Sequence, residues 1–183
     1  IAYKATTYKA VKDLATTLLP TGHTTEHDDI TLTDYWPKNE LDLCADMLYE
    51  HSDMPLDDIR REVAKLSIKD KERIMKTYFG ERLNRRHRPG RALEKAHYSW
   101  DLLCDYGIFR DLQRHRMVDD MEWQHLTPRY GYEVPALVEE ADLTETFEKC
   151  FEVSLELYSI LQSAGFDIEA QYATLLGHKM RWK

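Results

Sequence analysis

The sequence is poor in the residues that define several specialised protein classes. Its 183 residues include three cysteines, Cys44, Cys104 and Cys150. An odd, widely spaced set makes no disulfide framework, which indicates a reducing compartment and favours the cytoplasm. None of the three has neighbours typical of a nucleophile, so we expect all of them to be buried filling. No CxxC or HExxH motif occurs and the eight histidines lack metal-ligand spacing, so no metal site is predicted.

Long apolar runs and a targeting segment are also missing. No run approaches the roughly 20 apolar residues of a membrane helix, and the start has no signal-like apolar region, so no membrane contact is predicted. Glycines and prolines number only seven and six, and 43% of residues are hydrophobic. This composition excludes a disordered chain and predicts a single globular domain over residues 1–183. Because the chain opens on Ile1 and not on Met, we expect a fragment or a trimmed protein.

The charge balance is acidic overall but basic in one stretch. The net charge of −8 argues against general nucleic-acid binding. Nine of the 13 arginines lie between residues 82 and 129, where 10 basic residues face 7 acidic ones. A local positive patch of this kind suits a small polyanion better than a DNA duplex. For the first part of this patch the alternative is that the arginines only form a solvated surface and bind no ligand. These are Arg82, Arg85, Arg86, Arg88 and Arg91.

Hydrophobic periodicity predicts a helical N-terminal half. An amphipathic helix is expected over residues 7–19, followed by a loop or short extended segment over residues 21–37. Further helices are expected after an Asn39 cap, after Pro55, and before Gly80, which would end the last of them.

The second half mixes helices with extended segments. Residues 98–105 fit a strand by their aromatic content and a helix by their length and flanks. A helix is expected over residues 106–116, an extended segment over residues 130–134 and a final strand over residues 175–182. We therefore predict an α+β fold.

The strongest helix pattern lies between Asp142 and Gly165. Asp142 and Glu145 are similar to a capping box, and Gly165 suits the helix C-terminus. Its expected core stripe has alternating spacings of four and three: Leu143, Phe147, Cys150, Ser154, Leu157 and Leu161.

The residues with the clearest chemistry are Arg114-His115-Arg116, followed by Thr127-Pro128-Arg129-Tyr130. Guanidinium groups present forked donors that match phosphate oxygens two at a time, so this set suits a ligand with more than one phosphate. Alternatives remain open. The two triplet arginines could pair with Asp111, Asp119 and Asp120, His115 could cap a helix end, and Thr127-Pro128 could be a plain turn.

This pattern resembles the signature of the flavin-dependent thymidylate synthases, in which an Arg-His-Arg triplet is followed after seven residues by Ser-x-Arg-Tyr. Here ten residues intervene and Thr127 replaces the serine. The family also places a glutamate twenty residues before the triplet, where this chain has Glu94. The resemblance is clearest over residues 87–183. It implies an antiparallel sheet with long helices, and it favours a strand over residues 98–105.

The resemblance also implies functional roles. Arg114, His115, Arg116 and Glu94 would bind the flavin cofactor FAD. The substrate would be deoxyuridine monophosphate (dUMP), methylated reductively to thymidylate with methylenetetrahydrofolate and NADPH as co-substrates. Its binding residues would be Thr127, Arg129, Tyr130, Glu122 and Gln171. No single side chain is assigned a catalytic role, and family sites form between subunits, so a homotetramer is implied.

The sequence departs from the family at several of these positions. Glu122 takes the place of a family glutamate only if the extra residues before Thr127 form a bulge. Gln171 stands where the family has an arginine, and the family's last binding segment is absent, as expected for a chain truncated at its C-terminus. Two other interpretations follow. One is a non-catalytic domain of the same fold that binds flavin or nucleotide, and the other is a helical module whose arginines bind an acidic protein surface.

Overall fold

A small antiparallel sheet forms the framework of the molecule, with helices before its first strand and between its strands in the sequence. The computed structural model describes residues 1–19 and 28–183. Its strands are β1 (Ile30–Trp36), β2 (His97–Asp105) and β3 (Lys179–Trp182), in the order β1-β2-β3, with both pairs antiparallel. The expected α+β fold with an antiparallel sheet is therefore confirmed, as is the strand over residues 98–105.

Seven helices accompany these strands in the described ranges. They are α1 (Ala2–Leu18), α2 (Cys44–Tyr49), α3 (Leu56–Ala64), α4 (Ile68–Phe79), α5 (Tyr106–Leu112), α6 (Ala136–Glu140) and α7 (Thr144–Ser163). Short 3₁₀ turns lie at Glu40–Leu43, Arg91–Lys95, Pro128–Tyr130 and Glu169–Ala173.

The helix ends in the N-terminal half follow local sequence signals. The Asn39 side chain accepts the Leu41 N–H at 3.0 Å, and Ser67 Oγ accepts the Asp70 N–H at 3.2 Å at the start of α4. Gly80 ends α4 with a φ of 56°, which glycine adopts at little cost. The Asn39 and Ser67 side chains satisfy N–H groups that the first turns leave free, and the Gly80 N–H donates to the Lys76 carbonyl at the last turn of α4.

The helices α2, α3 and α4 pack into the first part of the core. Cys44, Ala45, Ile59 and Val63 form one buried cluster, and Leu43, Met47 and Ala92 form its neighbour, with Ile74 and Met75 touching both. The Asp46 carboxylate, whose side chain is only 3% exposed, pairs with Lys95. A buried carboxylate needs such a partner, so this ion pair ties the turn before β2 to α2.

The second part of the core joins the sheet to α5, and α7 packs on the 3₁₀ turn at Glu169–Ala173. Phe109 of α5 packs with Met180 and Trp182 of β3. On α7 the buried residues are Phe151, Ser154 and Tyr158.

The core stripe expected for α7 was therefore wrong in part, since Cys150 is exposed and Leu157 is 47% exposed. The aromatic residues Phe151 and Tyr158 decide which face is buried. Phe151 stacks on Tyr132 at 3.9 Å between ring centroids, and these rings bury more apolar area than the residues beside them.

Two other elements differ from expectation in the N-terminal region. The first helix begins at Ala2 and has no buried residue, although its apolar stripe is present. The extended segment expected before Pro37 is a full strand, because β1 pairs with β2 along its length apart from a bulge after Leu32. The expected end of the first helix at Pro20 and Gly22 lies outside the described residues.

Three expectations for the second half hold only in part or not at all. In the segment 130–134, which was expected to be extended, Tyr130 belongs to a 3₁₀ turn capped by Thr127 and Gly131 turns the chain with a φ of 71°, while Tyr132 forms one isolated antiparallel bridge with His178. Asp142 does not cap α7, since its φ of 57° belongs to the turn that closes α6 and leaves its side chain out of reach. The final strand is shorter than expected, but Gly165 ends α7 as predicted, with a φ of 85°.

The cysteines follow the buried-filling expectation only in part. Cys44 is buried, Cys104 is half-buried and Cys150 is exposed, and all three are free thiols. Burial raises the pKa of both the Cys44 and the Cys104 thiol, which makes these two poor nucleophiles at neutral pH.

None of the helices in residues 1–19 and 28–183 is long and apolar enough to cross a membrane.

A buried histidine makes the stability of this fold depend on pH. His178 is 2% exposed, its Nδ1 accepts the Leu175 N–H at 2.9 Å, and burial lowers the pKa of its imidazole. Neutral His178 therefore stabilises the fold above the unfolded-state pKa of about 6.5, and this contribution is lost as the pH falls through the lower folded-state pKa.

We predict that urea midpoints drop between pH 7.5 and 5.0 more steeply in the unmodified protein than in His178→Gln. The exposed His51→Gln variant is the control. Equal slopes for the unmodified protein and His178→Gln would contradict this assignment.

Candidate functional site

The Arg-His-Arg triplet lies just beyond the end of α5. The chain was expected to stay helical to residue 116, but α5 ends at Leu112 and Arg114–Arg116 form a turn on the surface. The Arg114 guanidinium pairs with Asp111, and both side chains are about three-quarters exposed, at 78% and 76%. His115 Nδ1 accepts the Met117 N–H at 3.4 Å. The Asp111 pair weighed from the sequence is thus present for Arg114, whereas the His115 imidazole accepts an N–H beyond the helix and does not cap the end of α5.

The triplet is nevertheless accessible to a ligand. Neither Arg114 nor Arg116 pairs with Asp119 or Asp120, and Arg116 has no carboxylate partner in the described part of the chain. An exposed pair such as Arg114–Asp111 contributes at most about 1 kcal/mol, so a phosphate can replace the aspartate. The donors needed for a diphosphate are therefore present at this turn.

The segment after the triplet joins the free edge of β3. Glu122 exchanges two backbone hydrogen bonds with Lys183, at 3.0 and 2.8 Å, and Gln124 N–H donates to the Arg181 carbonyl at 3.0 Å. The pairing resumes where Gly131 accepts the Lys179 N–H at 2.9 Å. Residues 125–130 loop out between these two points.

Three of the predicted substrate-binding residues lie in this loop. Thr127 Oγ1 accepts the Arg129 N–H at 3.3 Å, so the hydroxyl shapes the turn. The Tyr130 hydroxyl donates to Gln124 Oε1 at 2.9 Å, which fixes the ring. Arg129 is exposed and has no ion-pair partner within residues 1–19 and 28–183. The loop thus presents one guanidinium, one hydroxyl and one phenol at a single edge of the sheet.

A further arginine, which the sequence reasoning missed, lies beside this loop. The Arg181 guanidinium is 5.9 Å from the centre of the Tyr130 ring and pairs with Asp101 at 2.8 Å. The alternation of Lys179, Met180, Arg181 and Trp182 in the last strand is the signal that could have found it, since it places Lys179 and Arg181 on one face.

The other two predicted substrate-binding residues hold the loop in place. Gln171 Oε1 accepts the Leu126 N–H at 3.0 Å and its Nε2 donates to the Ile168 carbonyl at 3.1 Å. Glu122 pairs with Lys183 at 3.0 Å, and this hydrogen bond raises the pKa of the Lys183 ammonium. Both side chains are therefore engaged with the protein.

The predicted flavin contact Glu94 lies at a different place. It belongs to the 3₁₀ turn before β2, is 60% exposed, and pairs with Arg91 at 3.0 Å. The triplet follows α5, after the other end of β2, a nine-residue strand about 27 Å long. No hydrogen bond or ion pair joins Glu94 to the triplet in the described part of the molecule. One chain therefore does not bring all the predicted flavin residues together.

Comparison with known proteins supports the fold. No family model matches the chain. A solved structure, the UMP/dUMP methylase PolB from Streptomyces cacaoi bound with 5-Br dUMP, is similar with a TM-score of 0.53 and 14% sequence identity. The similarity covers 84% of this chain and 69% of that chain. The two chains share a fold, and at this identity the function has to be argued from the site itself.

Curated relatives are similar over part of their length. A UPF0159 protein of Chlamydia muridarum is 31% identical over 140 residues, and one of Chlamydia pneumoniae is 32% identical over 141 residues. Each alignment covers 76% of this chain but 26% of the relative. A third, UPF0159 protein Ta1429 of Thermoplasma acidophilum, is 33% identical over 99 residues. The chain thus spans about a quarter of the length of these two Chlamydia relatives.

The geometry predicts a positioning role for Gln171. Gln171→Leu removes the acceptor for the Leu126 N–H, and the net cost of one such hydrogen bond is about 1 kcal/mol. We expect faster amide hydrogen exchange at Leu126 and in the rest of the 125–130 loop, with Gln171→Glu retaining slow exchange because it keeps an acceptor. Gln113→Leu, on the exposed surface after α5, is the control. Unchanged exchange in Gln171→Leu would show that the loop is held by other contacts.

Proposed function

We propose that this chain binds a pyrimidine nucleotide and takes part in its methylation at C5, as a protein similar to the flavin-dependent thymidylate synthases. One observation carries the proposal. The chain shares its fold with a UMP/dUMP methylase solved with 5-Br dUMP, and its 125–130 loop presents Thr127, Arg129 and Tyr130 together at the edge of the sheet. We take dUMP as the substrate and thymidylate as the product.

The nucleotide phosphate would bind at Arg129. Its guanidinium has no competing carboxylate among the described residues and offers a two-donor fork that matches phosphate oxygens. The Tyr130 ring, held by Gln124 and flanked by Arg181, offers a flat surface beside it. Gln171 and Glu122 would act indirectly, because they hold the loop.

The flavin would bind at the triplet and at Glu94. The exposed donors of Arg114 and Arg116 suit a diphosphate, so the residues present fit FAD in their chemistry. When bound, the flavin supplies a hydride derived from NADPH, and methylenetetrahydrofolate supplies the one-carbon unit. The balanced reaction takes dUMP, methylenetetrahydrofolate, NADPH and a proton to thymidylate, tetrahydrofolate and NADP⁺. The chain's own residues would bind and orient the reactants, and misplacement by about 1 Å can cost about a hundredfold in rate.

We further propose that the complete flavin site forms between two chains. Glu94 and the triplet lie toward opposite ends of β2, so two chains in which one end of β2 meets the other would place both against one flavin. The homotetramer implied by the family resemblance would provide such contacts.

A second candidate is a domain that binds flavin or nucleotide without turnover. It is favoured by Gln171, whose amide is fully engaged with the backbone and carries no charge for a phosphate. Release of tritium from C5 of dUMP, in the presence of FAD, NADPH and methylenetetrahydrofolate, distinguishes the two. Binding of both ligands without tritium release supports the second candidate.

The flavin assignment predicts the effect of removing either arginine of the triplet. Arg114→Ala and Arg116→Ala should each weaken FAD binding by about 1.5–3 kcal/mol, the range for a hydrogen bond to a charged group. Quenching of flavin fluorescence measures the affinity. Arg110→Ala is the matched control. Arg110 lies on α5 beside the Tyr106 ring, and its removal changes the net charge by the same amount. Unchanged FAD affinity in both triplet variants would disprove the assignment and leave the fold unaffected.

The nucleotide assignment predicts that lysine does not replace Arg129. Lysine is a point charge without the paired fork, so Arg129→Lys should weaken dUMP binding measured by calorimetry. Thr127→Val should have a smaller effect, because the positive charge remains. Arg73→Lys on the exposed face of α4 is the control. If Arg129→Lys binds dUMP as tightly as the unmodified protein, Arg129 is an ordinary surface charge.

A further inference from the structure

Large apolar side chains share one face of the sheet where β1 and β2 pair. Leu32 lies opposite Trp100, and Tyr35 lies opposite Tyr98. Because side chains alternate along a strand, Tyr98 and Trp100 point to the same side of β2, so both pairs lie on one face. We call this surface the open sheet face, and its members are 38% to 62% exposed: Ile30, Leu32, Tyr35, Tyr98 and Trp100.

The same face of the sheet is covered at β3. Met180 and Trp182 pack with Phe109 of α5 and are 1% and 7% exposed. Among the described residues no helix covers the open sheet face in this way, because all five of its members remain exposed. An apolar sheet face needs a second layer to remove it from water, and a contiguous exposed apolar patch marks a surface that binds another protein element.

Helix α1 also lacks a covering partner, since none of its residues is buried. Four apolar residues lie along one side of it at spacings of three and four, and we call them the α1 stripe: Tyr8, Val11, Ala15 and Leu18. In the described chain, the one side-chain hydrogen bond of α1 outside the helix joins Tyr8 to His125, and the two rings stack. The α1 stripe is therefore available to a further partner.

The two uncovered surfaces match in length. The α1 stripe spans ten residue steps, which is about 15 Å at the rise of an α-helix. On β1 the open sheet face runs from Ile30 to Tyr35, about 16 Å at the rise of a strand. A helix laid along the strands would therefore cover the face from end to end.

Buried area decides which partner suits the open sheet face. A large side chain can bury about 200 Å², so the exposed fractions correspond to about 450 Å² for this face and about 350 Å² for the α1 stripe. Two such sheet faces stacked on each other would bury about 900 Å², less than the roughly 1,200 Å² of a stable interface. Two reciprocal contacts of α1 with the face would bury about 1,600 Å², which is the standard size.

We propose that two copies of this chain form a dimer in which α1 of each copy covers the open sheet face of the other. Exchange of an identical element between two chains is a low-cost route to a dimer, because symmetry repeats each contact. The family resemblance, clearest over residues 87–183, assigns no role to α1. Assembly of this kind needs no ligand, so it does not depend on the proposed function.

Cross-linking of single-cysteine proteins tests the proposed contact. In a Cys150→Ser background, which lacks the exposed thiol, Val11→Cys places a thiol on the α1 stripe and Tyr98→Cys places one on the open sheet face. Neither protein alone should form a disulfide-linked dimer under mild oxidation, whereas their mixture should form one on a non-reducing gel. A mixture of Thr6→Cys, on the opposite side of α1, with Tyr98→Cys is the control and should not cross-link.

Molar mass from light scattering gives a second measurement. The unmodified protein should have at least the mass of a dimer, and the double variant Val11→Ser, Leu18→Ser should have half the mass of the unmodified protein. Both residues are exposed in the single chain, so circular dichroism should show an unchanged fold. The control variant Thr6→Ser, Ala10→Ser, which leaves the α1 stripe intact, should keep the mass of the unmodified protein.

Three results would overturn the proposal, and each identifies a different cover. A disulfide within one chain in the double variant Val11→Cys, Tyr98→Cys would show that α1 covers the sheet face of its own chain. Cross-linking of Tyr98→Cys alone would show that two sheet faces meet. A monomeric unmodified protein would show that a second copy does not cover the face.

Discussion

The pairing of β2 with a strand on each side is the constraint on which the rest of this structure depends. β2 pairs with β1 through residues 97–102 and with β3 through residues 102–105, so this one strand joins both of its neighbours into a single sheet. Its two ends lead directly to the predicted flavin residues, Glu94 before the strand and the triplet beyond α5 after it. The nine residues of β2 therefore lie between these two groups in the chain, and in the proposed function a flavin that contacts both would use more than one chain.

In the proposed function, the edge of β3 has the corresponding role for the nucleotide. Glu122 and Gln124 pair with β3, the chain leaves the edge, and it returns at Gly131. Residues between two fixed points of a ladder have a restricted path, so the 125–130 loop can present Thr127, Arg129 and Tyr130 in a defined arrangement although it lies on the surface. A rigid sheet that carries a short functional loop is a common way to build a binding site.

The two arginine-rich regions differ in their ion-pair partners within the fold. The triplet follows a short helix and Arg114 has one aspartate partner, whereas Arg85, Arg86 and Arg88 lie between α4 and the 3₁₀ turn at Arg91–Lys95 and have no ion-pair partner in the described chain. Both are exposed, so the fold does not need their charges. Charges that contribute nothing to the core and are held in defined turns are more useful for binding than for stability.

Local signals in the sequence determined much of this protein. The Asn39 and Ser67 caps and the stops at Gly80 and Gly165 were predictable because each involves only neighbours within a few residues. The α+β class and the strand at β2 were predicted too, the latter through the family resemblance. Only the tertiary structure decided which face of α7 is buried, because Phe151 stacks on Tyr132 from a distant segment. It alone also decided that Gln171 holds the Leu126 backbone, that Arg181 lies beside Tyr130, and that Glu94 and the triplet stay apart. These contacts join residues far apart in the chain, and a pattern of neighbouring residues carries no information about such distances.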